Sequence, residues 1–163
     1  MTDGACLQPL PELEALVIIY QILNALQYLH SNNVAHRDLK LDNILLEPSQ
    51  PFTRVVLADF GIAKTINATH RRMFTTVGTP EYCAPEVGFE FTKILSHLRT
   101  GIIGTPANDK RRGHDLKCDI WSVGIIAHII LSGISPFYED GNEINIIRSA
   151  KTGVLNSNTS LWS

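Results

Sequence analysis

Apolar residues recur at helical spacing through Leu13, Leu16, Val17, Tyr20, Leu23 and Leu26, and Ile18, Ile19, Ile22 and Leu29 widen the stripe. Pro11 and Glu12 suit a first turn and Asn32-Asn33 an end, so the pattern predicts one helix packed on most sides. Two short apolar runs follow, Ile44 to Leu46 and Val55 to Ala58, parted by residues that include the breakers Pro48 and Pro51. They predict a small antiparallel hairpin. From Gly61 to about Lys117 no long periodic segment occurs, and Gly, Thr, Pro and Arg punctuate a stretch expected to be a long surface segment. Helical spacing returns from Ile120 to Leu131, with Ser132-Gly133 as its stop, and again near Glu143 to Lys151, ending at Gly153. The expected fold class is α+β, mainly α, with the hairpin lying against a helical body.

Composition narrows this without redirecting it. The 163 residues are 44% hydrophobic, enough for one domain with a real core. A formal charge of -2 leaves no electrostatic footprint for nucleic acid, and the short run Lys110-Arg111-Arg112 reads as a solvated loop. Cys6, Cys83 and Cys118 are an odd number without C-x-x-C spacing, so neither a disulfide framework nor a zinc site is indicated. A reducing, intracellular setting is expected. The apolar stretches are too short and too interrupted to span a bilayer, and the first residues lack the pattern of a secretory signal. Asn67-Ala68-Thr69 and Asn158-Thr159-Ser160 then read as chance matches to the glycosylation pattern.

The hairpin also carries chemistry. Asn43 enters its first strand and Asp59 leaves its second, so antiparallel pairing brings two hard oxygen donors to one end. Mg²⁺ prefers a few such ligands and fills its other positions with phosphate and water.

Three ordered motifs surround that point: His36-Arg37-Asp38-Leu39-Lys40-Leu41-Asp42-Asn43, Asp59-Phe60-Gly61 and Ala84-Pro85-Glu86. Together they resemble the larger, C-terminal lobe of a protein kinase catalytic domain. The resemblance implies ATP and Mg²⁺ as cofactors, Asp38 as catalytic base, and Lys40 as the charge that neutralises the transferring phosphoryl group. Apart from the motif, Asp38 would read as a cap or turn residue. By the same resemblance Asn43 and Asp59 are the Mg²⁺ ligands, Leu45 is the floor under the adenine, and Gly61 allows a sharp turn after Asp59. His36 and Phe60 stack in a hydrophobic spine, Asp119 anchors the catalytic-loop backbone, and Thr79 bridges Asp38 and Lys40. Lys40 and Thr79 favour Ser or Thr over Tyr as acceptor. Arg37 ahead of Asp38 implies a basic pocket with Lys64 for a phosphate in the activation segment, with Thr75 the first candidate, Thr76 the second, and an upstream activating kinase as partner. The plainer reading of Thr75 is an ordinary loop residue. Asp42 is either a contact for basic substrate residues or simply solvated.

Within the kinases, His36 to Leu46, Thr79 to Glu86 and Asp115-Leu116-Lys117-Cys118-Asp119-Ile120-Trp121-Ser122 together resemble the calcium/calmodulin-dependent group, nearest to fungal forkhead-associated-domain checkpoint and meiotic effector kinases. That subgroup implies a nuclear role in signalling DNA breaks. There are departures as well. No G-x-G-x-x-G loop and no Val-Ala-Ile-Lys strand occurs, and the chain stops before the region whose Arg normally pairs with Glu86. Residues 1–163 are therefore expected to be a partial kinase domain lacking the N-lobe and last helices, with Glu86 partly buried and unpaired. Two functions follow: part of a serine/threonine kinase acting on protein substrates, with little activity as an isolated polypeptide, or a truncated, non-catalytic lobe that docks kinase partners or substrates without phosphorylating them.

Overall fold

The computed structural model describes residues 8–47, 54–66, 72–73, 75–87, 114–137 and 142–155. Pro48, Pro51, Cys6, the run at 110–112 and both glycosylation-pattern sites lie outside them.

Helix α1, Glu12–Ser31, starts after Pro11 and carries Glu12 and Glu14 in its first turn, where the helix dipole favours negative charge. Its buried residues are Ala15, Ile22 and Leu26, with Ile18, Ile19 and Leu29 partly buried beside them. The expectation of a helix packed on most sides is corrected. Leu16 is 60% and Tyr20 64% exposed, with Leu13 and Leu23 exposed alongside, because the elements packed on α1 among the described residues all sit on its Ala15–Ile22–Leu26 face.

That face meets helix α2, Lys117–Ser132, whose Val123, Ile126 and Ile130 complete the main core with Leu39 and Phe137. Burying Ile22 and Leu26 contributes about 1.5–3 kcal/mol each. Asp115 accepts a bond from the Lys117 amide at 2.8 Å, starting α2 earlier than the apolar pattern indicated. Gly133, at φ 78, ends it in the left-handed conformation that costs glycine nothing. Helix α3, Glu143–Thr152, is capped by Asn142, whose Oδ1 accepts from the Ile144 amide at 3.0 Å, and packs on the 3₁₀ turns Pro80–Tyr82 and Pro85–Val87.

Four short strands form two antiparallel pairs. Strand β1, Val34–Ala35, pairs with β4, Lys64–Thr65; β2, Ile44–Leu46, pairs with β3, Val55–Leu57. The second pair is the expected hairpin, in the register Ile44 to Leu57 and Leu46 to Val55. The first joins residues just before the loop 36–43 to residues after Asp59-Phe60-Gly61, so both segments are closed into adjacent loops. In the segment between β4 and α2, the described residues include the two 3₁₀ turns and an isolated bridge between Met73 and His114.

Candidate active site

The loop 36–43 is fixed from below by one carboxylate. Asp119, fully buried in the first turn of α2, accepts the His36 amide at 3.0 Å through Oδ2 and the Arg37 amide at 2.8 Å through Oδ1. His30, from the end of α1, donates its Nε2 proton to the same Oδ2 at 2.9 Å. Sequence reasoning passed over His30, although it continues the Ala15–Ile22–Leu26 face by one more turn and an imidazole there needs a buried partner. The Asp119 bonds help hold Arg37 at φ 70, a conformation that costs a residue other than glycine on the order of 1–3 kcal/mol. His36 is fully buried, donates its Nε2 proton to the Ala58 carbonyl at 3.0 Å, and accepts the Asp38 amide on Nδ1 at 3.4 Å.

Asp38, Lys40, Asn43 and Thr79 converge on one point. Thr79 gives both its amide, at 3.1 Å, and its hydroxyl, at 2.8 Å, to Asp38 Oδ1. Lys40 Nζ stands 3.1 Å from Asp38 Oδ2 and 3.3 Å from Thr79 Oγ1. Asn43 donates its amide NH₂ to the Asp38 carbonyl at 2.8 Å and to Oδ2 at 3.3 Å. Burial pushes the Asp38 carboxyl up, but the Thr79 hydroxyl and the Lys40 ammonium outweigh it and hold the group below its ordinary value. Asp38 is therefore an anion at neutral pH with both oxygens oriented.

Gly78 is where sequence reasoning missed a structural need. Its φ is 114, and a Cβ there would stand 2.7 Å from the Arg37 carbonyl, so only glycine lets the Thr79 loop approach the catalytic loop this closely.

Asp59 sits beside Asn43, because the Ala58 amide donates to the Asn43 carbonyl at 2.9 Å at the end of the β2–β3 ladder. Asp59 is exposed and itself adopts φ 60, with Oδ1 accepting the Gly61 amide at 3.1 Å. The expected sharp turn at Gly61 thus lies two positions earlier, on Asp59. Gly61 is needed for space instead, since a Cβ there would meet Asp59 Oδ1 at 3.0 Å. Phe60 touches the His36 ring at 4.8 Å between centroids yet stays 47% exposed, so it is not a core residue. Leu45 is 52% exposed on the outward face of β2.

With the Asn43 NH₂ group turned to Asp38, the Asn43 amide oxygen and the second Asp59 carboxylate oxygen make no hydrogen bond among the described residues. Two adjacent hard oxygen donors fit Mg²⁺. No cluster of three or more His, Cys, Asp or Glu among the described residues offers another metal site.

Arg37 reaches toward the activation segment. It donates Nε to the Ile62 carbonyl at 2.7 Å and Nη1 to the Thr75 hydroxyl at 2.6 Å. Thr76 turns elsewhere, donating its hydroxyl to the Val87 carbonyl at 3.4 Å. Lys64, on β4, makes no bond to Thr75 in the structure; its charge is felt at His114. Glu86 is exposed, correcting the expectation of a partly buried carboxylate: the turn Pro85–Val87 directs Ala84 and Val87 inward and Glu86 outward, where water solvates it. Cys83 and Cys118 are free, buried thiols.

Among the described residues no helix is long and apolar enough to cross a membrane. Over 162 residues, 99% of the chain, the sequence is 53% identical to the meiosis-specific serine/threonine-protein kinase MEK1 of Saccharomyces cerevisiae, of which this covers 32%. It is 41% identical to the meiosis-specific serine/threonine-protein kinase mek1 of Schizosaccharomyces pombe, over 80% of the chain and 27% of that protein. Calcium-dependent protein kinase 4 of Plasmodium berghei is 37% identical over 87% of the chain and 22% of its own length. The chain thus spans about a third or less of the curated relatives it matches. The model of the protein kinase domain matches residues 6–161, and the chain belongs to that family.

Proposed function

We propose that this chain is the catalytic-loop lobe of a serine/threonine protein kinase that transfers the γ-phosphoryl group of ATP to protein hydroxyls. The carrying observation is the bonded group Asp38–Lys40–Thr79 with Asn43 and Asp59 beside it. Asp38, held below the ordinary carboxylate range, is a weak base. It acts by orienting the acceptor hydroxyl and taking its proton late, which suits a loose phosphoryl-transfer transition state. Lys40 supplies positive charge next to the reacting oxygen, and Thr79 fixes both side chains at once. Asn43 and Asp59 would hold Mg²⁺, which when bound neutralises charge on the phosphates. Leu45 offers its exposed side chain to the adenine.

The acceptor class rests on Lys40 and Thr79, and the biological setting on the two relatives named as meiosis-specific kinases. On that basis the reading extends to meiotic signalling, with a DNA-damage checkpoint role and a nuclear location following from the subgroup resemblance. Thr75, bonded to Arg37, is the proposed site for an upstream kinase, where a phosphate would add about two negative charges and three acceptor oxygens. Thr76 ranks behind it.

The test is phosphotransfer by the purified natural polypeptide that carries this sequence, with Mg²⁺-ATP and matched Ser, Thr and Tyr peptides. Labelling of Ser and Thr but not Tyr is expected, with Asp38→Ala slowing it by about 10²–10⁴-fold. An unchanged rate in Asp38→Ala, or equal labelling of Tyr, overturns the reading. The 163 residues alone, which contain no Gly-rich loop, are expected to transfer little or nothing.

A further inference from the structure

Arg37 lines a small cavity, about 10 Å³, at the lower limit for one water. His114 lines it together with Arg37, Val77, Cys83, Cys118 and Ser122. The residue is 3% exposed, and its imidazole makes no hydrogen bond among the described residues. Its backbone, by contrast, is bonded in both directions to the activation segment: the Met73 amide donates to the His114 carbonyl at 2.8 Å, and the His114 amide donates to the Met73 carbonyl at 3.0 Å. His114 therefore anchors the segment two residues before Thr75. Arg37 connects the two places, touching the Thr75 hydroxyl at 2.6 Å on one side and the cavity on the other.

We propose that His114 is the third member of the Arg37–Lys64 pocket, an imidazole that stays neutral while residue 75 carries a hydroxyl and takes a proton from solvent when it carries a phosphate. The proposal rests on reading Thr75 as the phosphorylated residue. Its geometric basis is a buried ring that makes no hydrogen bond among the described residues, sharing a cavity with the arginine that holds Thr75 and tied through its backbone to the same segment. The charges around it explain the direction. Burial lowers the His114 proton affinity, and Arg37 from the catalytic loop and Lys64 from β4 lower it further, against the opposing pull of Asp115 and Asp119. The Cys83 and Cys118 thiols on the remaining walls are pushed up by burial, Cys83 to about 12, and carry no charge at neutral pH. A phosphate on Thr75 would engage Arg37 and Lys64 and cancel the field that keeps His114 neutral. The proton gained would strengthen the hold of the pocket on the segment.

The test is an NMR titration of the chain labelled with ¹⁵N-histidine, carried out with threonine at 75 and with phosphothreonine installed there by synthesis, the His114 ring being assigned by through-bond correlation. A rise of the His114 midpoint by about half a pH unit or more on installing the phosphate is expected. A smaller rise, or a fall, overturns the proposal. Mapping phosphorylation on the natural protein separates the two claims: phosphate found elsewhere than Thr75 would fail the phosphosite reading, while the titration tests the coupling itself.

Discussion

His36 and Arg37 hang by their amides from Asp119, a buried carboxylate 83 and 82 positions away, which also holds His30. Asp59, on the other side of the same site, makes one side-chain bond among the described residues, to an amide two positions on, and stands exposed at φ 60. The first arrangement is built by the tertiary core, because α2 must pack on α1 before Asp119 can reach the loop. The second is built locally, from the last rung of a three-residue ladder and a glycine with no Cβ to obstruct it. On the proposed function the difference separates the jobs of the two sides: the side proposed to handle the proton is preorganised by the fold, and the side proposed to hold Mg²⁺ is left open on the surface where phosphate oxygens would complete it.

The largest way to break this contrast is Asp119→Ala. It leaves a buried amide, a half-buried amide and an imidazole without their acceptor, and a destabilisation of about 3–5 kcal/mol is expected in denaturant unfolding. A loss below 1 kcal/mol would mean that Asp119 is not the anchor. Asp59→Asn lies at the other end. Asparagine tolerates the left-handed conformation and the position is exposed, so unfolding should change by no more than about 0.5 kcal/mol. On the proposed function, the same change in the natural polypeptide should nonetheless lower phosphotransfer and raise the Mg²⁺ concentration needed for half-maximal rate. A variant that unfolds easily, or that keeps its Mg²⁺ dependence, would remove the distinction between the two sides.

Much of this was legible in the sequence. Helical spacing placed three helices, Gly133 and Gly153 marked two ends, and the pair of short runs at Ile44 and Val55 gave the hairpin that brings Asn43 to Asp59. The sidedness of α1 was not legible, because Leu13, Leu16, Tyr20 and Leu23 form a stripe as regular as the buried one, and periodicity cannot say which stripe meets a partner. The β1–β4 pair escaped notice because two-residue strands carry no pattern. His30 and His114 escaped because their roles depend on residues 89 and 41 positions away, a relation that local chemistry does not encode. The Gly61 turn was displaced to Asp59 for a related reason: a side chain bonded to its own following backbone can support the left-handed conformation that glycine was expected to supply.

Amide hydrogen exchange on the chain, read residue by residue, tests the central contrast most directly. The His36 and Arg37 amides, bonded to a buried carboxylate, should exchange at least about a hundredfold more slowly than the Gly61 amide, whose acceptor is exposed. Equal rates at the three positions would contradict the account, because the catalytic loop would then open as readily as the surface corner beside it.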